Sequence, residues 1–356
     1  MSPRTVVVGM SGGVDSSVSA LLLKQQGFRV IGLFMKNWEE KDENGVCLST
    51  SDYEDVVRVC EKIDIPYYAV NFSKEYWNHV FSMALEDFEE GSTPNPDILC
   101  NREIKFKVLL ERALQLGAEY LATGHYCQNK NQQLHKGADP GKDQSYFLHT
   151  ITDKILEKVL FPIGHLQKSE VREIARKYHL PTAEKKDSTG LCFVGERNFR
   201  EFLSQYITPK PGNFEDVEGK IIGTHVGIPF YTIGQRRGIG IGGAGEAWYV
   251  VDKDPERNVV ILAQGEDHPA LFCEGLQAAE LSWVSSEGPP SLPYSCKAKI
   301  RYRQEDQECT IVRFEDSVAT VRFKVPQRAV TCGQSIVFYN ENQCIGGGKI
   351  IKRMKN

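Results

Sequence analysis

Apolar residues in about the first 180 positions of the chain fall into short continuous runs separated by segments with helical spacing. The runs have the length of β-strands, and in the segments between them apolar residues recur every three or four positions. Strands that alternate with helices favour a parallel, doubly wound sheet of the α/β class. The predicted strands are 5–8, 29–34, 67–70 and 120–123, and the predicted helices are 14–22, 52–63 with Asp52 as its N-cap, 104–116 closed by Gly117, and 169–178.

The second half of the chain has a different pattern, with more glycine and little helical spacing from about residue 205 onward. Segments 248–251 and 259–263 flank a turn and predict a hairpin, and a series of short alternating strands begins near Cys273. Such a series is typical of a small barrel or sandwich. We therefore expect an α/β domain at 1–200, a β-rich module at 201–270 and a β-barrel-like domain at 271–356. The strands predicted in the last domain are 297–303, 309–314, 318–323 and 335–339.

The composition excludes several classes of protein. With 356 residues, of which 41% are hydrophobic and 25% charged, the chain is long enough for two or three domains and too apolar to be disordered. No apolar stretch approaches the roughly 18 residues of a membrane-spanning helix, and the amino terminus enters a strand without a signal peptide. We therefore expect a cytoplasmic protein without a membrane segment.

The ten cysteines are expected to be free thiols, because a reducing compartment does not sustain structural disulfides. The smallest separation between two of them is 12 residues, from Cys332 to Cys344, so the chain has no Cys-x2-Cys knuckle. This spacing argues against a zinc site. Most of the cysteines are expected to be small buried residues, which leaves about two that react.

Charge is distributed unevenly although the net charge is only −4. From Leu271 onward the chain carries 12 Lys and Arg against 9 Asp and Glu, whereas the rest of the chain carries 31 against 38. Four basic residues between Lys297 and Arg303 alternate along a predicted strand. This spacing fits contacts to successive phosphates, and it fits a solvated strand face equally well. The carboxyl-terminal region is thus the basic end of the protein.

The segment from Gly9 to Ser17 joins the first predicted strand to the first predicted helix and contains three glycines, three serines and Asp15. Small residues let backbone N–H groups approach a phosphate, the hydroxyls add donors, and a helix amino terminus attracts anions. The segment therefore predicts a phosphate-binding loop, with a plain strand-to-helix turn as the alternative. It is not a Walker A loop, because Val14 occupies the position of the second glycine and no lysine follows.

Two polar segments of the first domain carry cysteines. Cys100 lies three residues after Asp97, just before a helix expected to begin near Arg102, and a helix amino terminus lowers the pKa of a nearby thiol. Cys192 lies in a second polar loop that is flanked by glycines. Burial explains most single cysteines, but two in polar loops of one domain favour a redox or persulfide pair.

Residues 11–16 match the Ser-Gly-Gly-x-Asp-Ser signature of the PP-loop ATP pyrophosphatases, which split ATP between its α- and β-phosphates and adenylate an acceptor. Five further segments extend the likeness, and with them the chain resembles the tRNA-specific 2-thiouridylases of the MnmA/TrmU type along its whole length. These segments are 93–101, 124–126, 142–148, 187–195 and 230–238.

The resemblance implies a sheet like that of the adenine nucleotide alpha hydrolases, followed by two small β domains. It implies an enzyme that makes 2-thiouridine at the wobble position (U34) of tRNA, using ATP and Mg2+. The implied partners are the anticodon loop of tRNA and a persulfide carrier or cysteine desulfurase. Cys192 would carry the persulfide sulfur, Cys100 would release it by forming a disulfide with Cys192, and Asp97 is a candidate acid or base.

The same resemblance assigns binding roles to individual residues. Met35 also fits a core methionine at the end of the second strand. A synthetase of the same ATP class with a small-molecule acceptor, and an RNA-binding protein that senses ATP, remain as other hypotheses. The implied ATP-binding residues are Gly9, Met10, Ser11, Gly12, Gly13, Val14, Asp15, Ser16, Met35 and Gly124; those for the target base are Asn95, Pro96 and Asp97; and those for tRNA are His125, Lys142, Asp143, Gln144, Tyr302, Arg303 and Gln334.

Overall fold

The structure of the protein, a computed structural model, describes residues 3–38, 50–187 and 199–354. In its first part, which we call the α/β region, five strands form a parallel sheet and two form a hairpin. The strands are β1 (Thr5–Met10), β2 (Arg29–Lys36), β3 (Tyr67–Asn71), β4 (Tyr120–Ala122), β5 (Cys127–Lys130), β6 (Gln133–Lys136) and β7 (Val159–Leu160). The parallel sheet has the order β3-β2-β1-β4-β7, which confirms the predicted doubly wound α/β class.

Helices cover both faces of this sheet. No helix among the described residues is long and apolar enough to cross a membrane. Two π-helical segments, Trp77–Phe81 and Cys100–Leu109, join α3 to α4 and α5 to α6, so that each set forms one continuous helix. The helices are α1 (Val14–Gln25), α2 (Thr50–Lys62), α3 (Ser73–Tyr76), α4 (Ser82–Glu89), α5 (Pro96–Leu99), α6 (Leu110–Gln115), α7 (Asp153–Leu156), α8 (Lys168–Lys177) and α9 (Phe199–Leu203).

Two predicted helix boundaries are wrong. Asp52 was expected to cap its helix, but it lies inside α2, whose described part begins at Thr50. The helix expected near Arg102 begins at Pro96, because Asn95 caps it and proline at the first helical position needs no N–H partner. Cys100 therefore lies within a helix and not in a loop before one.

The core of the α/β region has two layers, one on each face of the sheet. Val7 and Leu33 pack with the helix that runs from α5 to α6, whereas Val8 and Phe34 pack with α1, α2 and α8. Since successive strand residues point to opposite faces, fully apolar strands are what a sheet buried on both sides requires. Each such side chain contributes roughly 1.5–3 kcal/mol through burial.

The second part, the middle region, is a four-stranded sheet of order β10-β11-β8-β9, and its β10–β11 pair confirms the predicted hairpin. Ala84 and Phe88 of α4 belong to the same apolar core as Phe214 and Leu262, so this region is packed directly against the α/β region. The strands are β8 (Gly212–Asp216), β9 (Ile221–His225), β10 (Trp248–Asp254) and β11 (Val259–Gln264).

The last part is a closed barrel, as the sequence predicted. Its strands are β12 (Phe272–Trp283), β13 (Tyr294–Lys299), β14 (Gln307–Glu315), β15 (Val318–Arg328), β16 (Ser335–Asn340) and β17 (Gln343–Met354). They follow the order β12-β15-β14-β13-β16-β17, and pairing of β12 with β17 closes the ring.

One strand prediction in the barrel is wrong. The strand expected at 297–303 ends at Lys299, and Arg303 lies in the following turn with a φ of 64°. The Lys299 side chain is largely buried, 3.4 Å from Asp143, and Arg301 donates to the carbonyl of Arg328. The four basic residues therefore do not form a continuous row along one strand face.

The hairpin β5–β6 attaches the α/β region to the barrel. Its second strand pairs with β17, with Leu134 opposite Cys344, and so extends the barrel sheet. The ammonium of Lys136 donates to Asp306 over 2.7 Å and lies 4.3 Å from the centre of the Tyr339 ring. Both charged side chains are mostly buried. The attraction between them must therefore offset the free-energy cost of removing both charges from water.

We expect Asp306→Ala to lower the free energy of unfolding by about 2 kcal/mol, because it leaves the Lys136 ammonium largely buried without its partner. Urea unfolding followed by circular dichroism measures this change. Glu308→Ala is the matched control, since the Glu308–Lys324 pair lies on the exposed face of the same barrel and should be dispensable. Equal urea midpoints for Asp306→Ala and the parent protein would contradict this account of the attachment.

Candidate functional site

The loop between β1 and α1 lies at the carboxyl edge of the parallel sheet. The Ser16 hydroxyl accepts from the backbone N–H of Ser11 over 3.2 Å and donates to the carbonyl of Gly13 over 3.2 Å. Gly12 has a φ of +74°, and a Cβ added there would lie 2.5 Å from the carbonyl oxygen of Asp52. The loop is therefore tight, internally bonded and seated against α2, with the amino terminus of α1 behind it, which is a geometry that binds anions.

Two other residues expected to bind the nucleotide, Gly124 and Met35, lie at the ends of strands next to this loop. A Cβ added to Gly124 would lie 2.8 Å from the backbone nitrogen of Ser16, so the segment after β4 lies directly against the start of α1. Met35 lies near the end of β2, one position beyond Phe34, which pairs with Met10 of β1. Its side chain is buried in the apolar core.

A network of five charged side chains lies beside the loop. Lys168 bridges two carboxylates, with its ammonium 2.7 Å from Asp15 and 2.9 Å from Asp187. Asp187 also binds Lys142 at 2.6 Å and Arg172 at 2.7 Å. Three cations and two carboxylates give the network one positive charge in excess, next to the predicted phosphate loop.

The ionisation state of Asp187 follows from its surroundings. Burial alone would raise the pKa of this carboxyl, but hydrogen bonds and charges from Lys142 and Lys168 outweigh burial and lower the pKa to about 2. The Tyr126 hydroxyl donates to Asp15 over 2.7 Å, and burial together with that carboxylate raises the pKa of Tyr126. At neutral pH the carboxylate of Asp187 is thus charged and the phenol of Tyr126 is neutral.

Three members of this network were not among the residues predicted from the sequence, namely Lys168, Arg172 and Asp187. The four-residue spacing of Lys168 and Arg172 on α8 places two cations on one helix face, which is a signal that the sequence does contain. Only the tertiary fold shows that this helix face lies against the β1–α1 loop, more than 150 residues away in the sequence.

The segment with Asn95, Asp97 and Cys100 is a helix start. The Asn95 side chain accepts from the backbone N–H of Asp97 over 3.2 Å and so caps α5. Asp97 is half-buried, and Cys100, the fifth residue of the helix, is fully buried. Since the effect of a helix dipole is strongest in the first turn, this position gains less from it than the sequence analysis expected.

Residues from the other two regions hold the chain just before this helix. The backbone N–H of Thr93 donates to the carbonyl of Cys332, and the Gln334 amide donates to the carbonyl of Thr93 over 2.8 Å. The Thr93 hydroxyl lies 3.4 Å from that of Thr232 in the middle region. Gln334, expected to contact tRNA, thus orients the segment that leads to Asp97.

Two buried asparagines have side-chain atoms with no hydrogen-bond partner among the described residues. Asn101, next to Cys100, donates to the carbonyl of Phe147 over 3.2 Å, but its amide oxygen has no donor. Asn37, just after β2, has neither a donor nor an acceptor for its amide. A buried polar atom left unpaired costs about 1–3 kcal/mol.

The residues expected to contact tRNA near β5 are largely engaged within the protein. His125 is buried, with Thr123 2.8 Å from its Nδ1, and burial followed by the charge of Lys105 lowers its pKa well below the usual value. Asp143 is buried and accepts from the backbone N–H of Ser145 and of Gly137, each over 3.1 Å.

Gln144 accepts from the backbone N–H of Tyr126 over 2.9 Å and is therefore also engaged within the protein. In the barrel, the Tyr302 ring packs 4.5 Å from that of Phe147, and the exposed Arg303 lies 5.3 Å from the centre of the Tyr302 ring.

Cys192 lies outside the described residues. Within the described ranges no group of three or more His, Cys, Asp or Glu side chains is placed to hold a metal ion.

Family models match most of the chain. A model described as the tRNA methyl transferase HUP domain matches residues 4–196, one described as the tRNA methyl transferase PRC-barrel domain matches 200–264, and one described as the aminomethyltransferase beta-barrel domain matches 273–350. Among solved structures, the U34-tRNA thiolase NcsA from Methanococcus maripaludis covers 58% of this chain and 65% of its own, at 20% identity and a TM-score of 0.36.

Curated relatives match the chain almost from end to end. The tRNA-specific 2-thiouridylase MnmA of Protochlamydia amoebophila is 64% identical over 98% of this chain and 93% of its own. The proteins of the same name from Shouchella clausii and Bacillus subtilis are 56% and 55% identical, over 98% and 97% of this chain and 96% and 94% of their own. The protein is therefore a member of the tRNA-specific 2-thiouridylase family.

Proposed function

We propose that this enzyme catalyses the ATP-dependent 2-thiolation of the wobble uridine (U34) of tRNA, with 2-thiouridine, AMP and pyrophosphate as products. The observation that carries the proposal is the carboxyl edge of the sheet, where the glycine- and serine-rich β1–α1 loop meets the helix with Asp97 and Cys100: a Cβ added to Gly9 would lie 3.3 Å from Leu109 of that helix. It occurs in a chain 64% identical to a 2-thiouridylase. Adenylation and sulfur transfer are the two chemical steps that this edge must support.

The residues for ATP are those of the β1–α1 loop, from Gly9 to Ser16, together with Met35 and Gly124. Lys168, Lys142 and Arg172 supply positive charge beside the loop, where the pyrophosphate leaving group gains negative charge. Mg2+ bound with ATP would neutralise charge on the triphosphate, and Asp15 or Asp187 would supply it with a carboxylate oxygen in exchange for its contact with Lys168. The Asn37 amide, which has no partner among the described residues, is a candidate to bind the nucleoside.

The first step activates the uridine. Its C2 oxygen is a poor leaving group, so the oxygen attacks the α-phosphorus of ATP and expels pyrophosphate, which makes C2 electrophilic and AMP a good leaving group. Asn95, Pro96 and Asp97 meet the target base, and Asp97 acts as the acid or base. The base must leave the stack of the anticodon loop to reach this edge.

The second step transfers sulfur. The terminal sulfur of a persulfide on Cys192 attacks C2 and displaces AMP, which leaves the uridine joined to Cys192 through two sulfur atoms. The thiolate of Cys100 then attacks the sulfur of Cys192, which forms a Cys100–Cys192 disulfide and releases 2-thiouridine. A cellular thiol reductant supplies two electrons to restore both thiols. Burial of Cys100 protects its thiol between turnovers.

The tRNA would be held mainly by the barrel. Arg303 is exposed beside Tyr302, an arrangement suited to a phosphate and a neighbouring base. Five further residues expected to contact tRNA have side chains with partners inside the protein. We therefore propose that they act indirectly, by holding the backbone of the tRNA-binding surface in its conformation. They are His125, Lys142, Asp143, Gln144 and Gln334. The sulfur source would be a persulfide carrier or cysteine desulfurase of the cytoplasm.

The direct test is mass analysis of nucleosides from a tRNA transcript with U34, incubated with the protein, ATP, Mg2+ and glutathione persulfide. We expect 2-thiouridine at position 34, and none in a matched transcript with C34. Exchange of ATP with pyrophosphate in the absence of RNA, without any 2-thiouridine, would favour a synthetase with a small-molecule acceptor and reject the proposal.

In the Cys100→Ser variant we expect the uridine to stay attached to Cys192 through the two sulfur atoms, because serine cannot release it. Free 2-thiouridine should fall at least 100-fold, while a protein–tRNA adduct that dithiothreitol cleaves appears on denaturing gels. Cys296→Ser, which removes a half-buried thiol in the barrel, should thiolate at the parental rate. Parental thiolation by Cys100→Ser would exclude the release step.

Lys168→Met should slow pyrophosphate release by about 100-fold, because it removes the ammonium beside the loop and leaves Asp15 and Asp187 facing each other. The rate is measured with saturating tRNA in a coupled pyrophosphate assay. Lys177→Met, an exposed position on the same helix, is the control and should be neutral. A rate for Lys168→Met within twofold of the control would remove Lys168 from the ATP site.

A further inference from the structure

Cys296 and Cys309 face each other in the barrel wall and belong to a different apolar core from Cys100. They are directly opposite residues of the antiparallel pair β13–β14, and their sulfur atoms are 3.7 Å apart. Their neighbours in the ladder are polar pairs, Ser295 opposite Thr310 and Lys297 opposite Glu308. The proposed thiolation reaction uses neither thiol.

The backbone at this position already suits a disulfide. Opposite residues in an antiparallel pair have Cα atoms about 4.5 or 5.5 Å apart, and both values fall within the range found for disulfides, about 4.4–6.8 Å. A sulfur–sulfur bond is about 2.05 Å long, so the two sulfurs need to approach by about 1.7 Å. Rotation of the side chains can provide this without a change in strand register.

The two thiols differ in access. Cys296 is half-buried and can meet a dissolved oxidant, whereas Cys309 is only 5% exposed. The hydrogen bond with Cys296, followed by burial, raises the pKa of Cys309, so this thiol stays protonated at neutral pH. Reaction with an oxidant therefore begins at Cys296, and Cys309 acts as the second, resolving thiol.

We propose that Cys296 and Cys309 form a reversible intrachain disulfide by exchange with a low-molecular-weight disulfide such as glutathione disulfide. The Cys296 thiolate attacks glutathione disulfide and releases one glutathione thiolate, which leaves a mixed disulfide on the protein. Cys309 then loses its proton to the released thiolate and attacks the sulfur of Cys296, which releases the second glutathione. The protein loses two electrons and two protons, and glutathione disulfide gains both.

The position of the pair gives the disulfide a structural effect. The chain from Cys296 to Cys309 spans 14 residues and includes the turn with Tyr302 and Arg303, the exposed part of the barrel that we assign to tRNA. A bond at the base of this connection would limit its freedom in the unfolded chain and in the folded turn. Oxidation should therefore raise the thermal midpoint of the protein by a few degrees and change its affinity for tRNA.

The test equilibrates the full-length protein with glutathione and glutathione disulfide at defined ratios, blocks free thiols with N-ethylmaleimide and maps the peptides by mass spectrometry. We expect a linked Cys296–Cys309 peptide pair that disappears after dithiothreitol. Cys309→Ser should stop at glutathionylated Cys296. Cys332→Ser, which removes another half-buried barrel thiol, should keep the linked pair.

Two results would overturn the proposal. One is glutathionylation of Cys296 in the parent protein with no linked pair at any ratio, which would show that Cys309 does not resolve the mixed disulfide. The other is absence of both products while Cys332 is modified. Neither result bears on thiolation of U34, because Cys296→Ser should retain thiolation under reducing conditions.

Discussion

The proposed site depends on how the chain around Thr93 is held. The backbone and side chain of this residue contact Cys332 and Gln334 of the barrel and Thr232 of the middle region. A few residues later Asn95 caps the helix that carries Asp97 and Cys100. All three parts of the protein therefore fix the start of this helix, and a shift of the barrel would move the proposed acid or base and the releasing thiol together. This coupling gives a physical reason for building the enzyme from three packed regions.

Burial and ion pairing hold two groups of the proposed site in defined states. Cys100 is fully buried, and Asp187 is held charged by the cations around it. The amide atoms of Asn37 and Asn101 that lack a partner among the described residues are the opposite case, since a bound ligand could supply the missing hydrogen bonds. In the proposed site the charged network would face the phosphates of ATP and the two amides would face the bases.

The features that depend on local sequence could be predicted. Apolar runs and helical spacing predicted the parallel sheet, and the glycine and serine content after β1 predicted the tight loop that leads into α1. The start of α5 could also have been found, because Asn95 followed by Pro96 is a common capping pattern. The charge network beside the loop could not, since Lys168 meets Asp15 across 153 positions and no local pattern specifies that contact. The contact of Lys299, the last residue of β13, with Asp143 of the α/β region is likewise specified by no local pattern.

The central claim is that one site couples cleavage of ATP to sulfur transfer on a single uridine. A single-turnover reaction with α-labelled ATP and U34 tRNA, sampled for both AMP and 2-thiouridine, tests it most directly. The account predicts one AMP for each 2-thiouridine and little AMP when tRNA is absent. Formation of 2-thiouridine without AMP, or release of AMP at the same rate without tRNA, would contradict it.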